Sequence, residues 1–204
     1  MTERGILFSA PMVRALLDGT KTQTRRAVKR QPWVSCSIEE GGGGEPPFVY
    51  SALHGAGPGH DVDESRTPCV CPYGQPGDRL WVRETWARPA ALDPGPTVYR
   101  ADYPACVPAQ YENVPPAEEI AWKPSIHMFR KDSRILLEIV SVRVERLQDI
   151  SAIDALAEGC SHNDMRHGDS LVSVYARLWE SINGAGSWDA NPWVWVVEFK
   201  RVAP

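Results

Sequence analysis

The chain has 204 residues, 43% of them hydrophobic, and a formal net charge of -4. That length suits one domain over 1–204 carrying insertions, and the acidic balance excludes strong non-specific binding to a polyanion, which needs a field of lysines and arginines. Glu3 and Arg4 precede only a few apolar residues, unlike a signal peptide, and no stretch approaches the roughly 20 apolar residues that cross a bilayer, so a cytoplasmic protein with no membrane partner is expected.

Ser9 is placed to cap a helix over about 10–18, with Pro11 in its first turn, Met12, Ala15 and Leu16 on the buried side and Gly19 as its stop. The next residues, Gly19 to Arg26, hold three threonines and three cations in eight positions. By the two-residue period Thr22, Thr24 and Arg26 share one face of an extended segment, and Lys21, Thr24 and Arg26 can surround a small anionic or carbonyl-bearing ligand. The wider segment 14–30 adds Arg14, Lys29 and Arg30 against Asp18 alone, a candidate basic patch.

Residues 34–70 contain Gly41 to Gly44, several prolines and little apolar periodicity, and read as a mobile surface insertion. From Gly77 a strand is expected, with Leu80, Val82, Glu84 and Trp86 on one side, so that Glu84 is a carboxylate on an apolar face. Residues 89–125 form a second, Pro-rich insertion with a short strand near Val98 and Tyr99. The clearest strand spans 134–147; its apolar phase moves from Ile135, Leu137 and Ile139 to Val140, Val142 and Val144, which predicts a bulge near Ile139.

Ser151 can cap a helix over about 152–158 with Ile153, Leu156 and Ala157 inward and Gly159 at its end. A second helix over about 170–183 carries Val172, Tyr175, Trp179 and Ile182 at helical spacing, and the last strand, about 193–201, is apolar enough to be covered on both faces. Few strands and no strand–helix repeat exclude a doubly wound nucleotide-binding fold; an α+β fold built on a small barrel is expected.

Four motifs occur together: Gly19-x-Lys-Thr-x-Thr-x-Arg26 after a helix, Pro76-Gly-Asp-x-Leu-Trp-Val-Arg-Glu84, the helix end Ala157-Glu-Gly159, and a terminal strand with Val196-x-x-Phe199. In these the chain resembles the ASCH domain family, which has a PUA-like β-barrel; Trp122-Lys-Pro-Ser-Ile-His-Met128 and Asn191-Pro-Trp-Val-Trp195 are similar to a branch common in phages and prophages. The resemblance implies a PUA-like barrel with short flanking helices and two long loop insertions. Some small ASCH proteins remove the acetyl group of N4-acetylcytidine with a lysine, a threonine and a glutamate, which fall here on Lys21, Thr24 and, through a looser match, Glu158.

Hydrolysing an N-acyl group needs a nucleophile, a proton carrier and stabilisation of the oxyanion. Thr24 supplies a hydroxyl. Lys21 has two open roles: burial lowers a lysine pKa from about 10.4 and makes it a base, whereas a carboxylate from Glu158 or Glu84 raises it and keeps a cation that polarises the acyl oxygen. Glu158 also breaks a local rule, since an acid in a helix's last turn faces the negative end of the dipole and costs about 0.3–1 kcal/mol; a pocket selects such a residue, or a nearby arginine does.

Glu84 can bind a ligand's amino group or pair with Arg83 or Arg26, and His127 can contact a base or be structural. Of eight tryptophans, Trp86 and Trp122 are candidates for a stacking wall. The five cysteines form no repeated spacing, so reduced thiols are expected, and Cys69-x-Cys71 with Cys36, His54 or His60 lacks common zinc spacing. No Gly-rich phosphate loop is present, and neither a cofactor nor a metal is expected. The leading expectation is an amidohydrolase acting on a modified nucleoside such as N4-acetylcytidine. The alternatives are a non-catalytic module for RNA or a modified nucleotide, and a phage accessory factor with a vestigial pocket.

Overall fold

The computed structural model describes residues 1–29, 31, 36–39, 48–51, 67–92 and 95–203, with backbone alone for 36–39, 48–51 and 67–69. Strand β1 (Glu3–Leu7) leads into helix α1 (Ala10–Leu17), followed by β2 (Gln23–Ala27), β3 (Cys36–Glu39), β4 (Phe48–Ser51), β5 (Thr67–Cys69), β6 (Arg79–Arg83), β7 (Trp86–Ala87) and β8 (Val98–Tyr99). The long strand β9 (Leu136–Arg146), helices α2 (Ala152–Ala157) and α3 (Leu171–Asn183) and strand β10 (Trp193–Val202) complete the chain. Five strands form one mixed sheet in the order β1-β6-β9-β10-β2; β1 runs parallel to β6 and the other neighbours are antiparallel.

The apolar run of β10 alternates by strand period between two cores. Val194 and Val196 join Ala155, Leu171, Val174, Tyr175 and Trp179 under α2 and α3, whereas Trp195, Val197 and Phe199 join Ile6, Val13, Leu16, Leu80 and Val82 on the α1 side. Both faces of β10 are thus covered, as its sequence predicts. The phase change of β9 is also real: the pairing passes from Glu198–Ser141 to Phe199–Ile139, leaving Val140 unpaired and 52% exposed.

The α+β class stands, but no sheet closes among the described residues. The two sheet edges are linked by side chains instead. The Arg26 Nη2 on β2 donates to the Leu7 carbonyl of β1 at 2.7 Å, and the Phe8 ring lies 5.5 Å from both the Lys21 Nζ and the Arg26 guanidinium.

Both expected insertions contain more structure than their composition suggests. The 34–70 segment includes the antiparallel sheet β3-β4-β5, and apart from Val70 its remaining residues lie outside the described ones, as does the reading of mobility. In the 89–125 segment β8 pairs with β7, and Ala87, Leu92, Val98 and Ile120 form a third apolar cluster with Tyr103 and Trp122 packed on it.

Helix faces needed correction where polar contacts decide the orientation. In α2 Ile153 is 78% and Leu156 37% exposed, while Ala155 is buried, because Asp154 and Glu158, four residues apart, turn toward cations near and in β2. In α1 Val13 and Leu16 are the buried pair, with Met12 partly buried; in α3 Ile182 is 50% exposed beyond the buried Tyr175 and Trp179. Among the described residues no helix is long and apolar enough to cross a membrane.

Candidate active site

The polar turn after α1 and the end of α2 meet through backbone geometry before any side chain is considered. Gly19, at φ 74°, reverses the chain, and the Thr20 and Lys21 N–H groups both donate to the Ala15 carbonyl, at 2.9 and 3.0 Å. The Thr22 N–H then donates to the Ala157 carbonyl at 2.8 Å. Gly159, at φ 91°, ends α2 where an added Cβ would lie 3.0 Å from the Ala15 Cβ and 3.4 Å from the Lys21 Cβ. Only glycine fits so close a crossing in that conformation.

Lys21 and Glu158 therefore face each other across 137 residues of sequence. The Lys21 Nζ donates to Glu158 Oε2 at 2.9 Å and to the Glu158 carbonyl at 2.7 Å, with side-chain exposures of 0% and 3%. The ammonium thus satisfies both the carboxylate and the last main-chain acceptor of α2, which reverses the unfavourable charge–dipole placement noted from sequence. Burial pushes the Lys21 pKa below its ordinary 10.5, against the opposing pull of Glu158.

Sequence reasoning overlooked the opposite face of β2. Gln23 and Arg25 are buried there, toward α2. Arg25 reaches Glu145 at 2.9 Å, Asp154 at 3.5 Å and Glu158 at 3.4 Å, and Gln23 donates to the Asp154 carbonyl and carboxylate, both at 3.1 Å. Arg143 extends the network through Glu145, Asp154 and Glu198. The signal was the same two-residue period that aligned Thr22, Thr24 and Arg26, read one residue out of phase.

Thr24 pairs with Val197 and Arg26 with Trp195, so their side chains share the face opposite Arg25. The main-chain bonds from Phe199 to Thr22 and from Val28 to Trp193 fix which residues of β2 face β10. By alternation the N–H and C=O of Arg25 and Ala27 face away from β10, along the open edge of the strand. Along that edge lies a cavity of about 40 Å³ bordered by Thr24, Arg25, Ala27 and Glu158 on one side and by Met12, Tyr175 and Trp179 on the other. Lys21 does not border it; it stands behind Glu158. The cavity is an order of magnitude below the ~300–1,000 Å³ of small-molecule sites, too small as it stands for a nucleobase.

The other expected site residues do not converge here. Arg26 borders the cavity, but its guanidinium is engaged by Leu7 and Phe8. Glu84 pairs with neither Arg83 nor Arg26: both its oxygens accept from Arg134 at 3.0 Å. Trp86 and His127 border a different cleft, and Trp86 is only 3% exposed, which leaves no face for a base. Trp122 packs edge-on against Tyr103, with ring centroids 5.5 Å apart, and donates to the Ala117 carbonyl.

The expected basic patch is largely turned inward. Lys21 and Arg25 are buried and Arg14 donates to the Ala101 carbonyl, while Arg30 lies outside the described residues. Cys106 and Cys160 are free thiols, and burial pushes the Cys160 thiol up to about 11, so it stays protonated near neutral pH. The described residues include no group of three or more potential metal ligands; the side chains of Cys36, His54, His60 and Cys69 lie outside them. No family model matches the chain, and no curated protein or solved structure is significantly similar to it.

Proposed function

We propose that the protein is an amidohydrolase of the ASCH type, with a PUA-like ancestry of its sheet, that removes an acyl group from a modified nucleoside such as N4-acetylcytidine. The observation that carries this reading is the buried Lys21–Glu158 pair, whose carboxylate residue borders the same small cavity as Thr24 at the edge of β2. In this mechanism the Thr24 Oγ adds to the acyl carbon while its proton passes to the Lys21–Glu158 pair. The Arg25 main-chain N–H, at the open edge, is available to the oxyanion. Collapse breaks the C–N bond, the amine leaves with the transferred proton, and water then releases the acid from the acyl-threonine.

The lowered pKa of Lys21 favours its role as the base rather than as a fixed cation. The test is release of cytidine and acetate from N4-acetylcytidine, followed by mass. Thr24→Ala and Lys21→Ala are expected to lose about 1,000-fold or more in turnover while remaining folded. Undiminished turnover by either folded variant overturns the assignment.

A second reading, a module that binds RNA or a modified nucleotide without turnover, is favoured by the position of Lys21, which pairs with Glu158 but does not border the cavity beside Thr24. Binding of the acylated nucleoside without product would select it.

A further inference from the structure

A second cleft, of about 360 Å³, lies between β6–β7 and the segment 123–129. Its main chain is fixed. Trp86 and Lys123 exchange hydrogen bonds at 3.2 and 2.8 Å, His127 and Met128 close 3-10 turns onto Pro124 and Ser125, and buried Met128 accepts the Glu84 N–H on its Sδ at 3.4 Å. Three cationic or protonatable side chains border the cleft, Lys123, His127 and Arg83, the last with its guanidinium donating to the Ile126 carbonyl and lying over Trp81, and no carboxylate does. Among the described residues neither the Lys123 ammonium nor the His127 ring has an ion-pair partner. Beside them Ile126 is 56% and Phe129 64% exposed, so the cleft pairs exposed apolar groups with cations. The floor is Trp86, whose buried indole N–H has no partner among the described residues and whose ring is covered by Lys123 at 4.9 Å and Arg88 at 5.7 Å.

A flat π-system and an anion on one ligand match this pairing. We propose that the cleft binds a nucleotide, with its base against Phe129 and its phosphate held by Lys123 and His127. The volume falls within the ~300–1,000 Å³ of small-molecule sites, unlike the cavity beside Thr24. The proposal does not depend on acyl hydrolysis. It assigns phosphate recognition to a place well away in sequence from the 14–30 segment, whose cations are mostly engaged internally.

The experiment is calorimetric titration of the whole chain at low salt with cytidine, with cytidine monophosphate and with a short single-stranded oligonucleotide. The monophosphate is expected to bind roughly tenfold or more tightly than cytidine, and added salt weakens it. Phe129→Ala and Lys123→Glu, both at exposed positions, are each expected to weaken binding roughly tenfold or more. Lys21→Ala, at the other site, leaves it unchanged. Tighter binding of the oligonucleotide than of the monophosphate identifies a strand as the source, and equal binding a free nucleotide; both support the cleft. No binding of either at millimolar concentration, or binding that survives both cleft variants and is lost in Lys21→Ala, overturns it.

Discussion

Two buried carboxylates, Glu158 and Glu84, are each 2% exposed and each held by cations, yet their bonding differs. Around Glu84 every strong bond is used. The Arg134 fork donates to both Glu84 oxygens at 3.0 Å and to both Asp102 oxygens at 2.7 and 2.8 Å, and its plane lies 4.0 Å from the Tyr99 ring centroid. Tyr99 in turn donates to the Asp132 carbonyl, and burial pushes its phenol up to about 12. This clamp joins the β6–β7 junction, the segment after β8 and the approach to β9, and holds Met128 under the second cleft. Glu158 has an uneven set: one oxygen faces Lys21 at 2.9 Å, the other a looser Arg25 at 3.4 Å, and the group borders a cavity. A saturated bidentate pair has no bond to spare, whereas an asymmetric pair that borders a cavity leaves bonding capacity for a ligand.

The largest expected effect separates the two by stability. Arg134→Ala strands Glu84 with no cation in reach and is expected to lower unfolding free energy by about 3–5 kcal/mol in a urea titration. Lys21→Met leaves Arg25 beside Glu158 and is expected to lose less, about 1–3 kcal/mol. Equal losses would show that the Glu158 pair is structural in the same sense as the clamp.

The pH dependence sharpens the contrast. Burial lowers the folded-state Lys21 pKa below 10.5, so between that lowered value and 10.5 the unfolded chain binds more protons and stability rises with pH. Burial raises Glu84 above 4.5, so its contribution is fully present below 4.5 and is lost as pH climbs through the raised value. Lys21→Met is therefore expected to flatten the alkaline limb of the stability profile and Glu84→Gln the acidic one, each without touching the other. An alkaline limb unchanged by Lys21→Met would show that Lys21 is not the group titrating there.

Much of this was legible from residue types and spacing. The covered terminal strand, the bulge near Ile139 and the buried side of 80–86 all follow from the two-residue period, because side-chain alternation is set by covalent geometry. Glu158 was visible as a broken helix rule, and its cation is the reason. What sequence does not carry is partner choice across long loops: nothing in Arg134 or Asp102 marks them as Glu84's partners, and Lys123 and Phe129 gain meaning only when β7 fixes the 123–129 segment. Ile153 and Leu156 misled for a related reason, since α2 is oriented by Asp154 and Glu158 rather than by its apolar residues. Its short length gives the apolar stripe little leverage.

That orientation supplies the smallest and most specific test. Ser151 and Asp154 form a reciprocal capping box, and Asp154 also receives Gln23 and Arg25. Ser151→Ala removes one half of the box and is expected to lower stability by about 1 kcal/mol. Because α2 is only six residues long, fraying at its start reaches Glu158 at its end. On the amidohydrolase reading, turnover should therefore fall a few-fold with Lys21 and Thr24 intact. A purely architectural Glu158 would instead give the stability loss alone. Ser170→Ala, which uncaps α3 in the same way, is the matched control because Ser170 accepts from the Ser173 N–H. A fall in turnover specific to Ser151 would place the effect in the position of Glu158 rather than in general loosening of the α2–α3 layer.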